Sequence, residues 1–80
     1  MSTYDFFAYG KTNGGGMVSI MVEEFETCGQ KRFKWVMTYS NSCGCREGGY
    51  ISTTPQMALE KGIAFANELN YEIVEINFGS

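Results

Sequence analysis

The sequence predicts an α+β fold: a small antiparallel β-sheet in the order β-β-β-(β)-α-β, with one helix packed on one face. Three observations lead there. Residues 17–26 and 32–39 are two runs rich in β-branched and aromatic residues, joined by a short link containing Gly29, which is the pattern of a hairpin. Residues 55–69 form one stretch with apolar side chains at helical spacing. Residues 71–78 then return to strand-like alternation. A chain of 80 residues is read as a single domain covering 1–80, and it buries only ~60–65% of the surface its unfolded form exposes.

Residues 4–9 are short and aromatic, and read as a first strand, with residues 11–16 a flexible glycine-rich turn. For the hairpin, a link centred on Gly29 sets Phe25 opposite Phe33, Met21 opposite Met37 and Ser19 opposite Tyr39 on one face. On the other face Glu26 meets Arg32, Glu24 meets Lys34, Val22 meets Val36 and Ile20 meets Thr38. A slip of one residue would set Glu24 against Phe33, which argues for this register. Residues 40–49 are polar and glycine-rich and read as a loop, and residues 50–52 as a short edge strand. Thr54 is placed as N-cap and Pro55 at the first helical position. Ala58, Leu59, Gly62, Ile63, Phe65, Ala66 and Leu69 form the apolar stripe. Gly62 within that stripe implies that the helix backbone comes close to the sheet, and Asn70 is a left-handed stop.

Composition excludes several functions. Net charge is −3, too acidic for a general grip on phosphate backbones. Histidine is absent, which removes the commonest general acid–base and the commonest metal ligand. No catalytic residue, cofactor or metal site is assigned, and the protein is read as non-enzymatic. Asp5 and the aromatics around it do not form a signal peptide, and no apolar run reaches the length of a membrane span, so a cytoplasmic protein without a membrane partner is expected. Cys28, Cys43 and Cys45 are an odd number and read as free thiols. A thiol or metal role for Cys43-Gly44-Cys45 is an alternative, but three thiolates lack a fourth ligand and Cys28 lies at the far end of a strand. Gly14-Gly15-Gly16 and Gly48-Gly49 do not stand at strand-to-helix junctions and read as turns, not phosphate loops.

The most informative feature is the sheet's two faces. In the register above, one face carries Phe33, Trp35, Met37, Tyr39, Met21 and Phe25, and the other Val18, Ile20, Val22 and Val36. A helix of about 15 residues is ~22 Å long and covers one of them. The other stays open, and contiguous exposed apolar surface marks an interaction site. The expected protein-binding surface is Val18, Ile20, Val22 and Val36, rimmed by Glu24, Glu26, Arg32 and Lys34, docking a protein partner or a second copy as a homodimer. The competing expectation is that residues 40–52 or the N-terminal aromatics fold over that face. A second function, single-stranded nucleic-acid binding through Phe33, Trp35 and Lys34, is less favoured, because strand alternation sends basic and aromatic residues to opposite faces.

A single small acidic α+β domain with no histidine and no catalytic motif, built from residues 17–39 and 54–78, resembles small phage-encoded inhibitors of host defence, anti-CRISPR proteins among them. The likeness is one of size and element order and transfers no residue. It implies an inhibitor that occludes a subunit of a host complex in the host cytoplasm.

Overall fold

The computed structural model describes residues 5–40, 45–47 and 51–79, with residues 45–47 described by their pairing alone. Five strands, β1 (Phe6–Lys11), β2 (Met17–Thr27), β3 (Gln30–Tyr39), β4 (Cys45–Glu47) and β5 (Glu72–Phe78), form one sheet in the order β4-β3-β2-β1-β5. All pairings are antiparallel. The helix α1 (Pro55–Glu68) leaves the β3 side of the sheet, where Ser52 bridges Phe33, and returns the chain to the opposite edge as β5. The α+β class and, among the described residues, the single helix on one face are as the sequence implies.

The helix begins and ends where its residues dictate. Thr54 is extended (φ −131°, ψ 150°) and its hydroxyl oxygen accepts from the Met57 N–H at 3.2 Å, and Pro55 opens the helix without a lost donor. At the other end Asn70 takes φ 63°, and the Tyr71 and Asn70 N–H groups close back on the Ala66 and Asn67 carbonyls at 3.0 Å each. This left-handed closure satisfies carbonyls that the last turn would leave open. The Asn13 side-chain amide donates to the Leu69 carbonyl at 3.1 Å, which ties the β1–β2 turn to the helix end.

The core lies between α1 and the sheet: Phe6 and Ala8 from β1, Val18, Ile20 and Val22 from β2, Phe33, Trp35 and Met37 from β3, and Ala58, Leu59 and Ala66 from the helix. Two glycines set its thickness. A Cβ on Gly62 would lie 2.7 Å from Ile20 Cγ2 and 3.0 Å from Trp35 Cβ, so the helix rests on the sheet at a residue without a side chain. A Cβ on Gly10 would lie 2.1 Å from the Glu72 carbonyl oxygen, which makes glycine a condition for β5 to pair there. The β1–β5 register shifts between Tyr9 and Gly10, leaving Val74 as the extra residue of a bulge.

The hairpin register differs from the one expected. The link is a two-residue turn, Cys28-Gly29, with φ 53° and 74°, the mirror-image geometry whose twist matches that of paired strands. Thr27 therefore pairs with Gln30, Glu24 with Phe33, Val22 with Trp35 and Met21 with Val36. One residue of slip sends every side chain of β3 to the other face relative to β2. The clash that argued against this register does not arise. Glu24 is exposed near the hairpin tip, and Lys31 lies 3.8 Å away on the same face. Two expectations for the following segment also change. Residues 45–47 form strand β4 and do not lie in a loop, and Ser52 makes an isolated bridge to Phe33. Tyr50 lies outside the described residues.

Candidate functional site

Alternation on these strands separates two faces. Side chains opposite or beside the core positions point to α1. The remaining ones, Phe7, Tyr9 and Lys11 on β1, Met17, Ser19, Met21, Glu23, Phe25 and Thr27 on β2, Gln30, Arg32, Lys34, Val36 and Thr38 on β3, and Glu72, Glu75 and Asn77 on β5, share the opposite face. No described helix or strand lies over that face. The described part of the segment expected to cover it joins the sheet in its own plane as β4, and the N-terminal aromatics lie inside the sheet as β1.

The expected binding surface is therefore divided. Val18 and Ile20 are fully buried and Val22 nearly so, under the helix, because the register pairs them with Tyr39, Met37 and Trp35. Glu24 and Glu26 belong to the same side, at the exposed hairpin tip. Only Val36, Arg32 and Lys34 of the expected set reach the open face. Met21 and Phe25, expected among the buried aromatics, are on the open face instead, and Phe7 and Tyr9 were not singled out at all. The signal that finds them is the size pattern of β1: Ala8 and Gly10 are small where helix and β5 press close, so Phe7 and Tyr9 must face away.

The open face has an apolar centre and a charged end. The Phe7 and Tyr9 rings stack at 5.5 Å with an interplanar angle of 12°. They border a shallow depression of about 230 Å³ with Ser19 and Met21, the latter 42% exposed. Toward the hairpin tip Lys34 lies 3.8 Å from Glu23, and its ammonium stands 5.5 Å from the Phe25 ring centroid. Arg32 donates to the Gln30 side-chain carbonyl and, at 2.8 Å, to the Lys31 backbone carbonyl. At the other side of the face the Tyr9 hydroxyl donates to Glu75 at 2.9 Å. That hydrogen bond, with partial burial and the carboxylate's charge, raises the Tyr9 pKa above its ordinary value.

Among the described residues no three His, Cys, Asp or Glu side chains converge as metal ligands. Cys28 is exposed at the hairpin turn, while Cys45 pairs with Thr38, eight residues or roughly 26 Å along β3 from Gln30. Cys43 and Gly44, and with them the proposed thiol loop, lie outside the described residues. Among the described residues no helix is long and apolar enough to cross a membrane. Comparison of the chain with protein-family models, curated protein sequences and solved structures finds no match.

Proposed function

We infer that this is a non-enzymatic binding protein that lays the open face of its sheet on another protein and occludes it. The observation that carries this reading is that one helix is spent on one side of the sheet, while Phe7, Tyr9, Met17, Met21, Phe25 and Val36 lie together on the other. Five strands spaced ~4.8 Å apart, with ~3.3 Å per residue, present roughly 600 Å² in projection, on the scale of the ~800 Å² that a specific interface takes from each partner. Stacked aromatics and methionine supply large contact area, and the Glu23, Arg32 and Lys34 cluster supplies a polar border that sets orientation. The likeness in size and element order to phage-encoded inhibitors of host defence complexes fits this mode of action, with a host subunit as partner in the host cytoplasm.

The test is affinity capture from cells of the source organism, comparing wild type with Met21→Asp/Val36→Asp. Both positions are on the open face, so the variant should keep its circular dichroism spectrum. Loss of a partner that wild type retains supports the reading, and equal capture by both proteins overturns it.

One observation favours a second reading. Phe33 and Trp35, the aromatics first named for single-stranded nucleic acid, are buried on the side away from Lys34, but a different set, Phe7, Tyr9 and Phe25, shares a face with Lys11, Arg32 and Lys34. Against it, Phe7 and Tyr9 stack on one another, Lys34 is paired with Glu23, and Glu75 lies beside Tyr9. A titration with single-stranded oligonucleotides decides: affinity that falls steeply with salt would establish this reading, and none would remove it.

A further inference from the structure

The outer edge of β5 offers a second surface, distinct from the open face. The Gly79 N–H donates to the Asp5 carbonyl at 3.0 Å, so the β5 backbone faces β1 at that residue. Backbone direction alternates along a strand. Asn77, opposite Phe7, and Glu75, opposite Tyr9, therefore also turn their N–H and C=O groups toward β1, and Ile76 and Phe78 turn theirs away from the sheet. The same two residues have side chains left open, 45% and 41% exposed, on the helix side opposite Ala8 and Phe6. At Phe78 the helix leaves a gap: between its first turn, at Pro55 and Met57, and the Phe6 and Phe78 side chains runs a groove of about 410 Å³. The other edge is dressed differently, because β4 and the Ser52 bridge engage the outward backbone of β3.

We propose that two copies of the chain pair β5 to β5, antiparallel about a two-fold axis, with Ile76 of each copy opposite Phe78 of the other and Asn77 opposite itself. The register argues for a second copy over a foreign strand. It joins the outward-facing backbone groups of Ile76 and Phe78 as hydrogen-bonded pairs, and sets a β-branched side chain against an aromatic one on the helix side. Glu75 falls opposite Gly79, not opposite its own counterpart. An axis at Glu75 would bring two carboxylates face to face and run the ladder into the bulge at Val74. Uninterrupted strand on the outward side of β5 thus coincides with the segment in which like charges are kept apart. The paired segment is short, so association depends on concentration.

Sedimentation equilibrium at micromolar concentrations and above should show wild type moving from 8.9 kDa toward about twice that mass, with Ile76→Lys remaining at 8.9 kDa and keeping its circular dichroism spectrum. A wild-type protein that stays monomeric at all soluble concentrations overturns the proposal, including the case in which the edge receives an extended segment of some other protein. Crosslinking gives a readout that does not depend on destabilising the edge. In a background with Cys28, Cys43 and Cys45 changed to Ser, Asn77→Cys should form an intermolecular disulfide under mild oxidant, because the two-fold sets residue 77 against itself in a close, non-hydrogen-bonded pair. Met21→Cys on the open face should not. Crosslinking through position 21 but not 77, or a dimer that survives Ile76→Lys, would overturn it. Met21→Asp/Val36→Asp should leave the dimer intact, so this proposal and the assignment of the open face fail separately.

Discussion

Ile20 and Met21 are neighbours on β2 and live in opposite environments. Ile20 is fully buried against α1, with its Cγ2 only 2.7 Å from where a Cβ of Gly62 would stand, whereas Met21 is 42% exposed beside Phe7 and Tyr9. Both residues are large and apolar, and nothing in either side chain says which one the helix will cover. The two faces of the sheet differ less in composition than in what lies over them. One is a packed core sealed by a glycine-backed helix, and the other is a surface of similar greasiness finished with charges.

The sharpest way to break this contrast is truncation on either side of it. Ile20→Ala should cost about 2–5 kcal/mol, since it leaves a cavity in a packed interior. Met21→Ala should fall within about 0.5 kcal/mol of wild type. Denaturant unfolding of both variants checks this: equal losses would mean that the Met21 side is covered as closely as the Ile20 side, and a larger loss at Met21 that the faces have been assigned the wrong way round. Next in size is Gly62→Ala. Its added methyl group meets Ile20 and Trp35 at 2.7 and 3.0 Å, and overpacking of this kind costs about 1–3 kcal/mol. Better helix propensity returns about 1 kcal/mol of that. A net loss in thermal stability is expected, and a net gain would show that the helix stands further from the sheet.

A smaller effect of opposite sign sharpens the register on which the contrast depends. Cys28 holds φ 53° as the first central residue of the turn, a conformation that asparagine tolerates better than cysteine. Cys28→Asn should raise stability by about 0.5–1 kcal/mol, read as an increase in the urea midpoint at unchanged slope. No increase would argue for a longer loop and for the register centred on Gly29.

The smallest effect belongs to the open face alone. The Tyr9 hydroxyl donates to Glu75, and its pKa is raised in the folded state. A raised folded value means that the folded protein holds the phenol proton more tightly. The stabilisation is fully present below the unfolded tyrosine pKa of about 10, and is lost as pH rises through the folded value. Tyr9→Phe should therefore be slightly less stable than wild type at neutral pH, and the difference should shrink in alkali. Urea midpoints of the pair, taken at neutral and at strongly alkaline pH, test the sign.

Much of the architecture was legible in the residues themselves. Thr54-Pro55 marks the helix start because a hydroxyl caps an N–H and proline lacks one to cap. Asn70 marks its end because it accepts the left-handed conformation. Gly62 in the apolar stripe announces close packing, which the structure bears out. The existence of two strands around Gly29, and of one sheet face too many for one helix, also follows from pattern and length. The candidate site was not legible, because it depends on whether the hairpin turn has two residues or three. Cys28 carries no strong turn preference, and the apolar runs on both strands offer plausible partners in either register. Strand β4 was hidden for a related reason: it has three residues, two of them charged, too few to show alternation, and its pairing with β3 makes them a strand.

By itself, then, the chain determined its hairpin strands, its helix and the helix boundaries, and its acidic charge, because these depend on local backbone preferences and on counting. Tertiary structure alone decided which side of the hairpin is inside. A side-chain period of two turns one residue of register into an exchange of faces. The exchange was settled by a two-residue positive-φ turn at Cys28-Gly29, which no strong turn residue at position 28 announces, and by a helix that presses on Ile20 and Trp35 through a glycine, a contact between parts of the chain that sequence does not place side by side.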